Sequence, residues 1–166
     1  MVQLFYAYLV RPQLHKTITP MEAILFIGIQ ASGKSTFYQR HFFHTHLRIS
    51  LDLLNTRNKE RHFIDKCLEL QQRFVVDNTN PTRAERAGYI EKSKARKYRV
   101  VGYYFHTTIA EALERNAGRT GKQRISEVGI KATAHKLELP HFDEGFDEII
   151  EVCISDGIFV TKTRTP

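Results

Sequence analysis

Short unbroken apolar runs alternate along the chain with longer stretches in which apolar positions recur every three or four residues. The runs suit strands buried on both faces, and the stretches suit amphipathic helices. Ala23 to Ile27 reads as the first strand, followed by a loop and a helix through about Phe43. A second strand is expected near Leu47 to Ser50, then a helix near Lys59 to Gln72 with Phe63, Ile64, Cys67 and Leu68 on its buried face. Phe74 to Asp77 reads as the third strand and Arg99 to Phe105 as the fourth, which makes Tyr103, Tyr104 and Phe105 core residues. Thr82 with Glu85, and Thr108 with Glu111, have the spacing of capping boxes that open helices. A helix near Glu127 to Leu137 precedes a strand over Glu148 to Ile154, and Asp156-Gly157 turns the chain into an edge strand over Ile158 to Thr161. Strands alternating with helices predict an α/β fold built on a parallel sheet with flanking helices.

Composition keeps that picture. Of 166 residues, 42% are hydrophobic and 26% are charged, the balance of a globular domain rather than a disordered chain. The length suits one core. Residues 21–166 are expected to form the domain, and residues 1–20 read as an N-terminal extension of uncertain role or a misplaced start, because Met21 directly precedes the first strong strand. No apolar run is long enough to span a bilayer, and the apolar opening lacks the marks of a signal peptide, so no membrane partner is expected. Cys67 and Cys153 fit no metal spacing and read as buried, reduced thiols of a cytoplasmic protein. His41, His44 and His46 likewise fit no metal motif and read as solvated or structural. The net charge of +7 favours polyanionic partners such as nucleotides or nucleic acids.

The strongest chemical signal is Gly28-Ile29-Gln30-Ala31-Ser32-Gly33-Lys34-Ser35-Thr36, a match to G-x-x-x-x-G-K-[ST] between an apolar strand and a helical pattern. Glycines let the backbone curl so that its N–H groups converge on phosphate, and the following helix adds the positive end of its dipole. Lys34 is expected on the β- and γ-phosphates, and Ser35 on Mg²⁺. Gly28, Gln30, Ala31, Ser32, Gly33, Lys34, Ser35 and Thr36 are thus the expected ATP cradle.

Two acids follow. Asp52 lies just past the second strand, where a parallel sheet binds ligands, and is a candidate base for an attacking hydroxyl; a helix cap or turn is its plain structural alternative. Asp77 ends the third strand at the place of an acid near Mg²⁺. Asn78, Thr79 and Asn80 then offer hydrogen-bonding groups ahead of Pro81, with Asn78 and Asn80 candidates for the acceptor; simple turn chemistry is the alternative. The basic stretch Arg115, Arg119, Lys122 and Arg124 suits a segment that closes over ATP, with Arg115 and Arg119 sharing a helix face, or else a solvated surface helix.

Taken in order, Gly28 to Thr36, the Asp52 region, Asp77-Asn78-Thr79-Asn80-Pro81, Arg115-Asn116 with Arg119, and Glu144-Gly145-Phe146 resemble the kinase domain of polynucleotide 5′-hydroxyl kinases. The resemblance runs from about Ala23 to Val152. It implies an adenylate-kinase-like P-loop NTPase fold with a helical lid, ATP and Mg²⁺ as cofactors, and a nucleic-acid 5′-hydroxyl end as acceptor. It further implies that Lys34, Asp52 and Arg119 are the catalytic set, with Asp52 the general base and Arg119 the lid arginine, aided by Arg115. Some members carry an arginine three residues after the base to grip the acceptor phosphate. Asn55 stands there in this chain, so Arg57, or Arg48 before the base, is expected to take the role. The length leaves no room for the phosphatase or ligase domains that accompany such kinases elsewhere, so the expectation is phosphate addition without 3′-phosphate removal. Two other readings remain open at this point: a P-loop kinase acting on a sugar, nucleoside or metabolite, and a regulatory nucleotide-binding module without phosphotransfer.

Overall fold

The computed structural model describes residues 21–166; the extension expected over residues 1–20 lies outside them. Six strands form one sheet: β1 (Glu22–Ile27), β2 (Leu47–Ile49), β3 (Phe74–Val76), β4 (Arg99–Phe105), β5 (Glu148–Ser155) and β6 (Ile158–Thr163). Their order across the sheet is β2-β3-β1-β4-β5-β6. All neighbours are parallel except β6, which pairs antiparallel with β5 after the turn at Asp156-Gly157. Among the described residues six α-helices connect them: α1 (Lys34–His41), α2 (Leu51–Leu54), α3 (Arg57–Glu69), α4 (Arg83–Ala95), α5 (Ile109–Ala117) and α6 (Glu127–Lys136). The strands expected from sequence are all present, with ends displaced by at most two residues. Among the described residues no helix is long and apolar enough to cross a membrane.

The central strand β1 is apolar on both faces because helices cover both. Ala23, Leu25 and Ile27 pack with Ile64, Cys67 and Leu68 of α3 and Tyr89 and Ile90 of α4. Ile24 and Phe26 pack with Phe37 and Tyr38 of α1 and with Phe105. Phe26 alone meets the rings of Phe37, Phe42, Tyr103 and Phe105 at centroid distances of 5.0–6.1 Å. A third cluster joins Ile29 and Ala31 of the loop after β1 to Ala112 of α5 and Ile130 of α6.

Several expectations need correction. Phe63 is 48% exposed. The buried stripe of α3 is Glu60, Ile64, Cys67 and Leu68, and it starts from a charged residue the periodicity had no means to flag. Cys153 is exposed, as is Val160 beside it on the outermost strand β6. Cys67 is buried as expected, and burial pushes its thiol up to about 11, which keeps it unreactive. The short α2 was not expected, and α3 starts two residues early on a Thr56 cap. Thr108 and Glu111 form both halves of their box, while Thr82 accepts from the Glu85 N–H.

Candidate active site

The crossover order puts the β1 and β3 tips side by side with their loops diverging, the place where open parallel sheets bind ligands. Hydrogen bonds level the tips: the Gly28 N–H donates to the Thr79 carbonyl (3.0 Å), and the Asp77 N–H donates to the Ile49 carbonyl (2.8 Å). The P-loop therefore faces both acidic loops across a short gap.

The P-loop needs its glycines. Gly28 has φ +151°, and a Cβ there would come within 3.0 Å of the Phe105 carbonyl. Gly33, the residue before α1, has φ +92°, and a Cβ would meet Ile154 and Phe159 at 3.0 and 3.1 Å. Ala31 also takes a left-handed conformation, φ +58°. Its carbonyl accepts from Arg115 Nε at 2.8 Å, so Arg115 braces the loop. Gln30 donates through Nε2 to the Thr133 hydroxyl of α6 (3.0 Å). Ser32 is buried, and Thr36 is exposed.

Lys34 is buried, and its Nζ donates to the Gly28 carbonyl (2.9 Å), the Ile29 carbonyl (2.5 Å) and Ser32 Oγ (3.1 Å). Burial lowers its pKa from 10.5 to about 8; Asp77 and Asp52 oppose the shift, and Arg119 adds to it. All three side chains are thus close enough to act on the ammonium. The unfolded chain keeps the ordinary lysine value, so between about 8 and 10.5 it binds more protons than the folded one, and Lys34 makes folding more favourable as pH rises through that window. Phosphate oxygens beside Lys34 would favour its charged form. Nucleotide binding at pH 8 should therefore take up about half a proton, and about a tenth at pH 7. Calorimetry in buffers of different ionisation enthalpy measures this, and Lys34→Met should abolish the uptake.

Ser35 and Asp77 form a pair of hard oxygen donors, with Ser35 Oγ donating to Asp77 Oδ2 at 2.9 Å. Oxygen ligands of this kind suit Mg²⁺, which favours sites with few protein ligands completed by phosphate and water. Asp77 is buried and also carries Arg48.

Asp52 is the second residue of α2, capped by Ser50, whose hydroxyl accepts the Asp52 N–H. The cap role thus falls to Ser50. The Asp52 carboxylate is exposed, and among the described residues it has no ion-pair or hydrogen-bond partner. Asn78 fixes α2 from below: its Oδ1 accepts the Leu51 N–H (2.9 Å), and its Nδ2 donates to Glu60 Oε1 (2.5 Å). Glu60, 1% exposed, also accepts from the Tyr89 hydroxyl and from Arg57 Nη1, both at 2.9 Å. Arg57 lines, with Arg61 and Lys92, a cavity of about 600 Å³ between α3 and α4. Asn80, expected at the acceptor, lies elsewhere. It is 1% exposed and donates to the Phe26 carbonyl (2.7 Å), so it struts the loop against β1.

Arg119 lies beyond the end of α5 at Ala117, not on a shared helix face with Arg115. Both line a second cavity of about 270 Å³ with Gly33, Thr36, Arg40, Ile154 and Phe159, beside the P-loop. The loop carrying Arg119 is closed by Asn116, which donates to the Ile125 carbonyl (2.7 Å) and accepts the Ile125 N–H (3.0 Å).

Three participants were missed in the sequence: Glu60, Arg48 in its observed position, and Arg86. Arg86 is fully buried; its Nε and Nη2 donate to Glu144 at 2.7 and 2.8 Å, and Nη1 reaches the carbonyls of Asn80, Pro81 and Glu138. It ties the acidic loop to the Glu144-Gly145-Phe146 segment. The only sequence signal was that segment's place in the resemblance.

Comparison with known proteins gives the family and the fold. A bifunctional polynucleotide phosphatase/kinase from Schizosaccharomyces pombe is 26% identical over 163 residues, covering 90% of this chain and 40% of its own length. The chain thus spans less than half of that relative. Kti12 from Chaetomium thermophilum, solved with ADP-AlF3, shares the fold with a TM-score of 0.65 at 13% identity, covering 81% of this chain and 90% of its own. A gluconokinase from Sinorhizobium meliloti does so with a TM-score of 0.59 at 18% identity, covering 81% and 83%. The AAA domain family matches residues 24–140, the stretch that carries the P-loop, both acids, Arg115 and Arg119, so the chain belongs to the AAA domain family, with the fold of a P-loop kinase.

Proposed function

We propose that this protein is an ATP-dependent kinase that transfers the γ-phosphate to the 5′-hydroxyl end of a nucleic acid. The observation that carries the reading is the Asp52 carboxylate: without a partner among the described residues, exposed beyond the β2 tip, and near enough to the P-loop for its charge to act on Lys34. A carboxylate that no described residue engages, held on a helix fixed by Asn78, is poised to orient a hydroxyl for in-line attack. The polynucleotide phosphatase/kinase relative and the net charge of +7 favour a nucleic acid over a sugar.

In this reading the P-loop amides and Lys34 hold the β- and γ-phosphates. Ser35 and Asp77 would hold Mg²⁺, which would supply positive charge to offset that building on the transferring group. Asp52 accepts the proton of the 5′-hydroxyl as its oxygen bonds to the γ-phosphorus. The bond from that phosphorus to the β–γ bridging oxygen breaks, and ADP leaves. Arg119 balances charge on the phosphates from the lid loop, while Arg115 keeps the P-loop in shape. Free thiols at Cys67 and Cys153 suit a reducing, cytoplasmic setting.

Arg57 is the acceptor-phosphate residue in this reading. Its guanidinium is half exposed, and Glu60 and Tyr89 hold only Nη1. Arg57→Ala should raise the KM for a 5′-hydroxyl oligonucleotide about tenfold or more while moving the KM for ATP little; steady-state kinetics with each substrate varied measures both. An unchanged acceptor KM would remove Arg57 from the site.

The function itself is tested by offering γ-labelled ATP with 5′-hydroxyl DNA and RNA oligonucleotides beside a panel of sugars and nucleosides. Label on oligonucleotide ends, weakening as salt rises, is the expected result. Label confined to small molecules would replace the acceptor, and no transfer to any hydroxyl would reduce the protein to a nucleotide-binding module.

A further inference from the structure

A cation of the chain's own already holds the atoms assigned above to Mg²⁺. Arg48 donates through Nε to Asp77 Oδ2 at 2.7 Å, its Nη2 lies 2.6 Å from the same oxygen, and Nη2 also donates to Ser35 Oγ at 3.0 Å. With the Ser35–Asp77 bond, three groups close on one oxygen. A guanidinium in that place and a divalent cation on the same two side chains exclude each other by charge and by volume.

We propose that Arg48 is a stand-in cation that closes the metal seat in the nucleotide-free protein and leaves it when metal arrives with a triphosphate. This rests on the reading of Ser35 and Asp77 as that seat. The Asp77 side chain is 2% exposed, and a buried carboxylate without a counter-charge is strongly disfavoured. Lys34 does not supply that charge by contact, because its Nζ is spent on Gly28, Ile29 and Ser32. Arg48 supplies it by direct bonds.

Departure is also built in. Arg48 stands on β2, an edge strand, its side chain is 24% exposed, and its remaining contact is a stacking one, with the guanidinium carbon 5.8 Å from the Tyr38 ring centroid. It can swing to solvent without opening the core. A bare metal ion would gain one carboxylate and one hydroxyl, and would have to displace a doubly bonded guanidinium to do so. A metal ion carrying a triphosphate adds phosphate oxygens to its shell and Lys34 contacts to its ligand, which tips the exchange. Metal alone is refused and metal with nucleotide is admitted.

The test uses Mn²⁺ as the probe, with binding to the full chain read by electron paramagnetic resonance. Without nucleotide, Arg48→Ala should bind Mn²⁺ on the order of tenfold more tightly than wild type, and Arg48→Lys, lacking the fork, should fall between. With saturating ADP the three should converge. A gain of affinity is not what a merely structural arginine would give, since damage to the site weakens binding. Mn²⁺ should also raise the unfolding midpoint of Arg48→Ala more than that of wild type. Equal or weaker Mn²⁺ binding by nucleotide-free Arg48→Ala overturns the proposal. Adding Asp77→Asn to Arg48→Ala should abolish the gained binding; if the gain survives, the seat reading fails instead.

Discussion

Asp52→Asn is expected to lower kcat for phosphoryl transfer by about 10²–10⁴-fold, the usual contribution of a positioned base. The substitution keeps side-chain size and leaves the α2 cap intact, since that bond runs from the Asp52 backbone N–H to Ser50. The carboxylate has no structural partner among the described residues, so stability should change by less than about 1 kcal/mol. ATP affinity should stay within a few-fold, because the P-loop contacts do not pass through Asp52. Single-turnover transfer, ATP titration and thermal unfolding together check the pattern. A loss of rate below about fivefold would remove Asp52 as the base, and a nucleotide switch without phosphotransfer would show no change at all.

Arg86→Met should be the most destabilising single substitution near the site, by about 3–5 kcal/mol, the range for removing one partner of a buried ion pair. Arg86 is 0% exposed, and Glu144 has a side chain 4% exposed. Removing the guanidinium leaves that carboxylate with the His141 N–H and a distant Arg83, and it orphans the Asn80 and Glu138 carbonyls, while Pro81 keeps the Glu138 N–H. The unfolding midpoint should fall by on the order of 10 °C. Denaturant titration gives the free energy directly. The double variant Arg86→Met, Glu144→Met should recover part of the loss, because it removes the stranded charge too. A single-variant loss under about 1 kcal/mol would contradict the buried pair.

The parts of this fold that could be read in the sequence are those whose physics is local. Ala23 to Ile27 and Phe74 to Val76 announce themselves because strands covered on both faces have no polar positions to confuse them. The P-loop does so because left-handed backbone and close approach at Gly28 and Gly33 admit no other residue. What was illegible depends on distant partners. Glu60 and Arg86 look like surface charges of amphipathic helices until Asn78 and Glu144, 18 and 58 positions away, come to meet them. Asn78 and Asn80 are alike in sequence, yet a φ of +43° at Asn80 turns its amide under β1, while Asn78 faces α2. A four-residue helix such as α2 is too short for any periodicity to declare it.

The small apolar junction of Ile29 and Ala31 with Ala112 and Ile130, reinforced by Arg115 on the Ala31 carbonyl and Gln30 on Thr133, couples two parts usually thought of separately. The P-loop and the facing sides of α5 and α6 are thus packed as one unit, with the Arg119 loop between Asn116 and Ile125 closed off from it by the Asn116 amide. A lesion at Ile130, which nothing marks as functional, would therefore masquerade as a nucleotide-grip defect, and a genetic screen for weakened kinase should recover it beside the glycines.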